Sequence, residues 1–141
     1  MGLTAAALGA EVVLTDLPVY LPSLQQNIEA NAAIITGKAT AVGLDWKENV
    51  SASLTASADL VVVCDCVYYE VSLQPLVDTI LALIKPEAQV ILAYEKRPDK
   101  LELYQQFFSV VEKYFSITEL LATKAGDTNE IFLLELRLLR K

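Results

Sequence analysis

The chain has 141 residues, a length that suits one domain with a real core and leaves no room for a second. Its net charge of −7 argues against a nucleic-acid surface, which advertises itself by clustered Lys and Arg, and favours a basic partner. With no histidine, imidazole-based triads, most zinc catalysis and the usual general base near neutral pH are excluded, so any chemistry must use carboxylates, tyrosines or lysines.

Residues 3–8 are small and helix-forming, and Gly9 stops that helix ahead of a short apolar strand over 11–15 that ends at Asp16. Leu21, Leu24, Ile28 and Ala32 recur at helical spacing behind Pro18 and Pro22, which predicts a helix over 21–33. Residues 38–44 predict a strand and 45–57 a loop. Val61, Val62 and Val63 then read as a strand buried on both faces. Leu73, Leu76, Val77, Ile80 and Ile84 line one helical face, and 88–94 form another apolar strand. Tyr104, Phe107, Phe108, Val111 and Phe115 mark a further amphipathic helix, read as core. Residues 116–121 and 130–138 around Gly126 and Asp127 predict a closing hairpin. Strands alternating with helices predict an α/β fold, Rossmann-like, with a mostly parallel sheet covered on both faces and an antiparallel strand added by the hairpin.

Cys64 and Cys66 flank Asp65 in C-x-C spacing, which is neither a disulfide framework nor a zinc ligand set. They read as reduced thiols, so no metal is expected. No apolar run reaches membrane-span length and the first residues lack a signal-peptide pattern, so the expectation is a soluble cytoplasmic protein, with a nuclear setting also compatible.

The segment DLVVVCDCVYYE carries the strongest chemical signal. An uncharged β-branched strand ends in Asp65, with Tyr68 three residues on, and strand ends of α/β sheets face the ligand crevice. A carboxylate there needs a reason. Chemistry is one, and capping of the turn or helix that begins near Ser72 is the other; spacing alone leaves both open.

The ordered set VVLTDL, LPSLQQNIEANA, LDW, DLVVVCDCVYYEVSLQPLVDTI and YEKR resembles the seven-β-strand protein-lysine methyltransferases, and within them looks closest to those that methylate valosin-containing protein. The resemblance implies S-adenosyl-L-methionine across the carboxyl ends of the strands and a protein substrate bearing the acceptor lysine, with a chaperone-type ATPase as a candidate. It implies that Asp16 bonds the ribose hydroxyls, that Trp46 contacts the adenine and that the backbone at Cys64 touches the cofactor. Asp65 and Tyr68 match the pair beside the methyl group and the incoming amine. Tyr94, Glu95 and Arg97 match a Tyr-Glu-x-Arg segment that shapes the lysine channel. A capping role for Asp16, a core role for Trp46 and a surface pair of Glu95 with Arg97 are the plain alternatives.

The family pattern also has a central strand ending in E-L-G-x-G-x-G before the segment that opens this chain. The sequence therefore reads as an amino-terminally truncated member without that strand and glycine loop, with weakened cofactor binding and uncertain activity as the expected consequence. A non-catalytic interaction module on the same fold is the competing function. A small-molecule or nucleic-acid methyltransferase and a nicotinamide-binding domain rank lower, the last because no G-x-G-x-x-G is present.

Overall fold

The computed structural model describes residues 1–125 and 129–139, which form two compact units, Met1–Glu48 and Asn49–Lys141. Among the described residues there are six strands in two sheets.

In the first unit, helix α1 (Gly2–Ala7) leads into strand β1 (Glu11–Asp16). Gly9, at φ 99°, makes the left-handed turn between them that a side chain would strain. Helix α2 (Leu21–Ala30) follows, with Pro22 in its first turn, where a missing N–H is harmless. It ends before the expected 33: a separate 3₁₀ turn spans Ala32–Ile34. Strand β2 (Lys38–Gly43) pairs in parallel with β1, from Glu11 against Lys38 to Asp16 against Gly43. Gly37 admits this crossing because a Cβ there would run into the backbone of Gly9 and Ala10.

In the second unit, strands β3 (Ala58–Cys64), β4 (Ile84–Lys96), β5 (Phe115–Ala125) and β6 (Asn129–Leu138) form one sheet in the order β3-β4-β6-β5. β3 and β4 are parallel, whereas β4 with β6 and β6 with β5 are antiparallel. The hairpin expected near the end is thus present, but its turn at Gly126 and Asp127 lies outside the described residues. Helices α3 (Leu73–Leu83) and α4 (Leu101–Val111) connect the strands and pack on one another. Leu73, Leu76, Val77 and Ile80 of α3 are buried, as their spacing predicts. They meet a sheet face on which Val63, Leu92 and Leu134 are cross-strand neighbours, as are Val90 and Leu136. Phe107 and Val111 of α4 are fully buried, each contributing roughly 1.5–3 kcal/mol relative to exposure.

Three expectations need correction. Ile84, expected on the helical face of α3, opens β4, which therefore starts before the expected 88. The valine strand is not buried on both faces: Val63 is 5% exposed, but Val62 is 45% and Leu60 50% exposed. These two residues point to the face opposite Val63, and the edge of β3 away from β4 has no strand partner among the described residues. Phe115 is not the end of α4. The helix stops at Val111, residues 112–114 turn, and Phe115 opens β5 opposite Leu138.

Candidate active site

The residues singled out in sequence fall at the carboxyl ends of strands, in both units. In the first, Asp16 is the last residue of β1 and Trp46 lies three residues beyond the end of β2, at the same end of the parallel pair. The Asp16 carbonyl accepts from the Leu44 N–H at 2.8 Å, and its Oδ1 accepts from the Leu17 N–H at 2.7 Å. The bond to the adjacent Leu17 N–H is not a helix cap, because neither the turn at Pro18–Tyr20 nor α2 has a side-chain cap; the Asp16 side chain stays exposed and Oδ2 keeps its lone pairs. Trp46 is half-buried. A free carboxylate oxygen and a partly open indole face are chemically suited to ribose hydroxyls and adenine, so the residues present fit S-adenosylmethionine at its nucleoside end.

In the second unit the site gathers around Asp65. β3 and β4 run in register, Cys64 against Ala93, and the Asp65 N–H extends the ladder by donating to the Ala93 carbonyl at 2.8 Å. Asp65 then turns into the left-handed region at φ 50°, which costs a non-glycine residue on the order of 1 kcal/mol and lets the chain leave the sheet abruptly. The Tyr68 hydroxyl donates to Asp65 Oδ2 at 3.1 Å. Arg97, just past the end of β4, donates from Nη2 to the same oxygen at 3.0 Å and from Nε to Glu95 Oε2 at 3.1 Å. Asp65, Tyr68, Glu95 and Arg97 are thus one connected cluster. Cys64 is exposed, and its carbonyl accepts from the Cys66 thiol at 3.3 Å.

Burial and the bond to Asp65 push the Tyr68 phenol above its ordinary value near 10. It is therefore a donor throughout the neutral range. The hydrogen bond that Arg97 donates to Glu95 and the charge of Asp65 raise its guanidinium further, so it is permanently cationic.

Tyr94 precedes Glu95 near the end of β4. Its ring stacks on Phe132 at 5.4 Å between centroids and tilts against Tyr104 at 5.0 Å and Phe108 at 5.6 Å, a packed aromatic group joining β4, β6 and α4. Tyr104, read in sequence only as core, matters here as well: its hydroxyl donates to the Glu95 carbonyl at 2.7 Å, fixing the backbone that carries the cluster. The signal was present in the tyrosine itself, since a hydroxyl in an apolar stripe needs a partner.

Beside Tyr68 an open cleft of about 430 Å³ is walled by Tyr68, Tyr69, Glu70, Val71, Asp99 and Glu102 among others. Among the described residues no cluster could hold a metal ion, and no helix is long and apolar enough to cross a membrane.

A family model described as lysine methyltransferase matches residues 1–114. Protein N-lysine methyltransferase METTL21A of Mus musculus is 31% identical over 120 residues, covering 84% of this chain and 54% of that protein. EEF1A lysine methyltransferase 3 of Mus musculus is 33% identical over 99 residues, covering 70% of this chain and 42% of that protein. The chain thus spans about half the length of the curated relatives it matches. Among solved structures, a TehB-like SAM-dependent methyltransferase from Corynebacterium glutamicum superposes with a TM-score of 0.67 at 14% identity, covering 97% of this chain and 73% of that one. At that identity the likeness concerns the fold: a Rossmann-like α/β arrangement of mixed parallel and antiparallel strands.

Proposed function

Because the chain belongs to the lysine methyltransferase family, we propose that it transfers methyl groups from S-adenosyl-L-methionine to a lysine side-chain amine of a protein. The observation that carries this reading is the Asp65–Tyr68 pair, hydrogen-bonded at 3.1 Å where β3 ends. The family match runs through both units, which supports reading residues 1–141 as parts of one methyltransferase domain.

When bound, the cofactor supplies an electrophilic methyl group on a sulfonium. The chain's own task is to bring a neutral amine to it in line and away from water, so positioning and desolvation are the main sources of rate. Asp65 accepts a hydrogen bond from the amine and orients its lone pair. Proton acceptance is a second role open to the same carboxylate. Tyr68 donates its proton to Asp65, which leaves its own oxygen lone pairs for the amine and its ring as a wall favourable to positive charge. Asp16 takes the ribose hydroxyls, Trp46 the adenine, and the backbone at Cys64 contacts the cofactor. Tyr94, Glu95 and Arg97 shape the substrate side of the centre, with the Tyr94 ring held by its aromatic neighbours.

The cleft is lined by three carboxylates, Glu70, Asp99 and Glu102, against the single cation Lys100, a net negative balance that favours a lysine-bearing segment with basic neighbours. The likeness of the sequence to members acting on valosin-containing protein supports a chaperone-type ATPase as the acceptor. The C-x-C spacing of Cys64 and Cys66, which does not suit a disulfide, supports a reducing, cytoplasmic or nuclear setting. The test is calorimetric titration with S-adenosylhomocysteine. Weak binding is expected for the wild type, whose sequence contains no E-L-G-x-G-x-G, and it is weakened further by roughly 1 to 3 kcal/mol in Asp16→Ala, the scale of a charge-assisted hydrogen bond. No binding by the wild type favours a non-catalytic interaction module, and an unchanged Kd in the variant removes Asp16 from the ribose.

A further inference from the structure

Asp65 is held more firmly than a strand-end aspartate needs to be. Its left-handed backbone, at φ 50°, is one that side-chain-bearing residues rarely adopt. Both hydrogen bonds to its carboxylate fall on one oxygen, Oδ2, from Tyr68 at 3.1 Å and from Arg97 at 3.0 Å. Oδ1 is left available. Arg97 reaches Asp65 from 32 residues away and is anchored on its other side by Glu95 at 3.1 Å, while the Glu95 backbone is pinned by the Tyr104 hydroxyl at 2.7 Å. A continuous line of contacts thus runs from α4 through Glu95 and Arg97 to Asp65.

We infer that Arg97 is the positioning residue of this centre: its guanidinium fork locks the Asp65 carboxylate through Oδ2 and reserves Oδ1 for the acceptor amine, while Glu95 keeps the fork aimed. The inference rests on the proposed role of Asp65. Arginine suits the task because Nε and Nη2 serve two carboxylates at once in a fixed plane, which a lysine point charge does not do. A lone surface ion pair would carry little weight, but these side chains are only 29% to 38% exposed and act as a network. The charges also fit. One guanidinium between two carboxylates leaves a net negative centre, so Arg97 orders Asp65 without cancelling the charge that draws a cationic substrate. Without Arg97, Asp65 is free to rotate about its side-chain bonds and Tyr68 loses a fixed acceptor.

Crystal structures and steady-state kinetics of Arg97→Gln, Arg97→Lys and Glu95→Gln test this together. In the Arg97→Gln structure the Asp65 carboxylate should leave Tyr68, whereas Arg97→Lys should retain the contact. In methyl transfer, Arg97→Gln should lower kcat about 10- to 100-fold, the scale of a reacting group displaced by about 1 Å, with KM for the protein substrate changed by no more than about twofold. Arg97→Lys should recover part of kcat. If Arg97→Gln does not fold, Glu95→Gln carries the comparison, with kcat expected to fall about three- to tenfold at constant KM because the fork loses its second anchor. The inference is overturned if Asp65 keeps its Tyr68 bond in Arg97→Gln, if kcat is unmoved in the variants, or if KM rises while kcat holds, which would make Arg97 a substrate contact. Absence of methyl transfer by the wild type would instead remove the proposed reaction, and the crystal comparison would still decide whether Arg97 sets the position of Asp65.

Discussion

A carboxylate at the end of β3 is useful for catalysis only if its position is defined, and at Asp65 the definition comes from Tyr68 and Arg97. Asp65→Asn preserves shape but removes the charge and one acceptor. It should reduce kcat by about 10²- to 10⁴-fold, the range for a positioned acid–base group, with little change in the calorimetric Kd for S-adenosylhomocysteine. A parallel loss of cofactor binding would make Asp65 a cofactor ligand instead. Tyr68 is read in sequence beside Asp65 through the D-x-x-Y spacing, and the structure places a 3.1 Å hydrogen bond between the two side chains. Arg97 was legible as a residue at the same crevice and as a partner of Glu95, but not as a partner of Asp65. Nothing in a linear pattern announces a contact across 32 residues.

Among the elements, α3 was the most legible, because its apolar face repeats with helical period and ends at a strand. The end of α4 was not. Phe115 follows Val111 by four residues and so continues the stripe on paper, yet the backbone turns after Val111 and the ring enters the same core from β5. The valine run failed for a related reason: periodicity cannot distinguish one covered face from two. Urea unfolding separates the faces of β3. Val63→Ala should cost about 1–3 kcal/mol and Val62→Ala about 0.5 kcal/mol or less, and equal losses would mean that both faces are packed. At α4, Tyr104→Phe should cost about 1 kcal/mol through loss of the bond to the Glu95 carbonyl. Burial raises the phenols of Tyr94 and Tyr104 above their unfolded value. Because the folded state then holds these protons more tightly than the unfolded chain, their stabilisation is complete below about pH 10 and is lost as pH rises through the folded values. Urea midpoints measured across the alkaline range should fall above that pH and fall less steeply in Tyr104→Phe.

At the scale of the whole molecule, alternating strands and helices announced the α/β class, and the ordered motifs announced the family that the match over residues 1–114 shows. Two separate sheets, one of β1 and β2 and the other of β3 to β6, were not legible, because strand partners are chosen in space and not along the chain. The central claim is that the Asp65 centre methylates a lysine. The measurement that tests it most directly is mass spectrometry of lysine methylation in a protein extract incubated with the chain and saturating S-adenosylmethionine, with wild type and Asp65→Asn run side by side. The account predicts newly methylated lysines with the wild type and their loss with the variant. Lysine methylation by the wild type no greater than that by Asp65→Asn would contradict it.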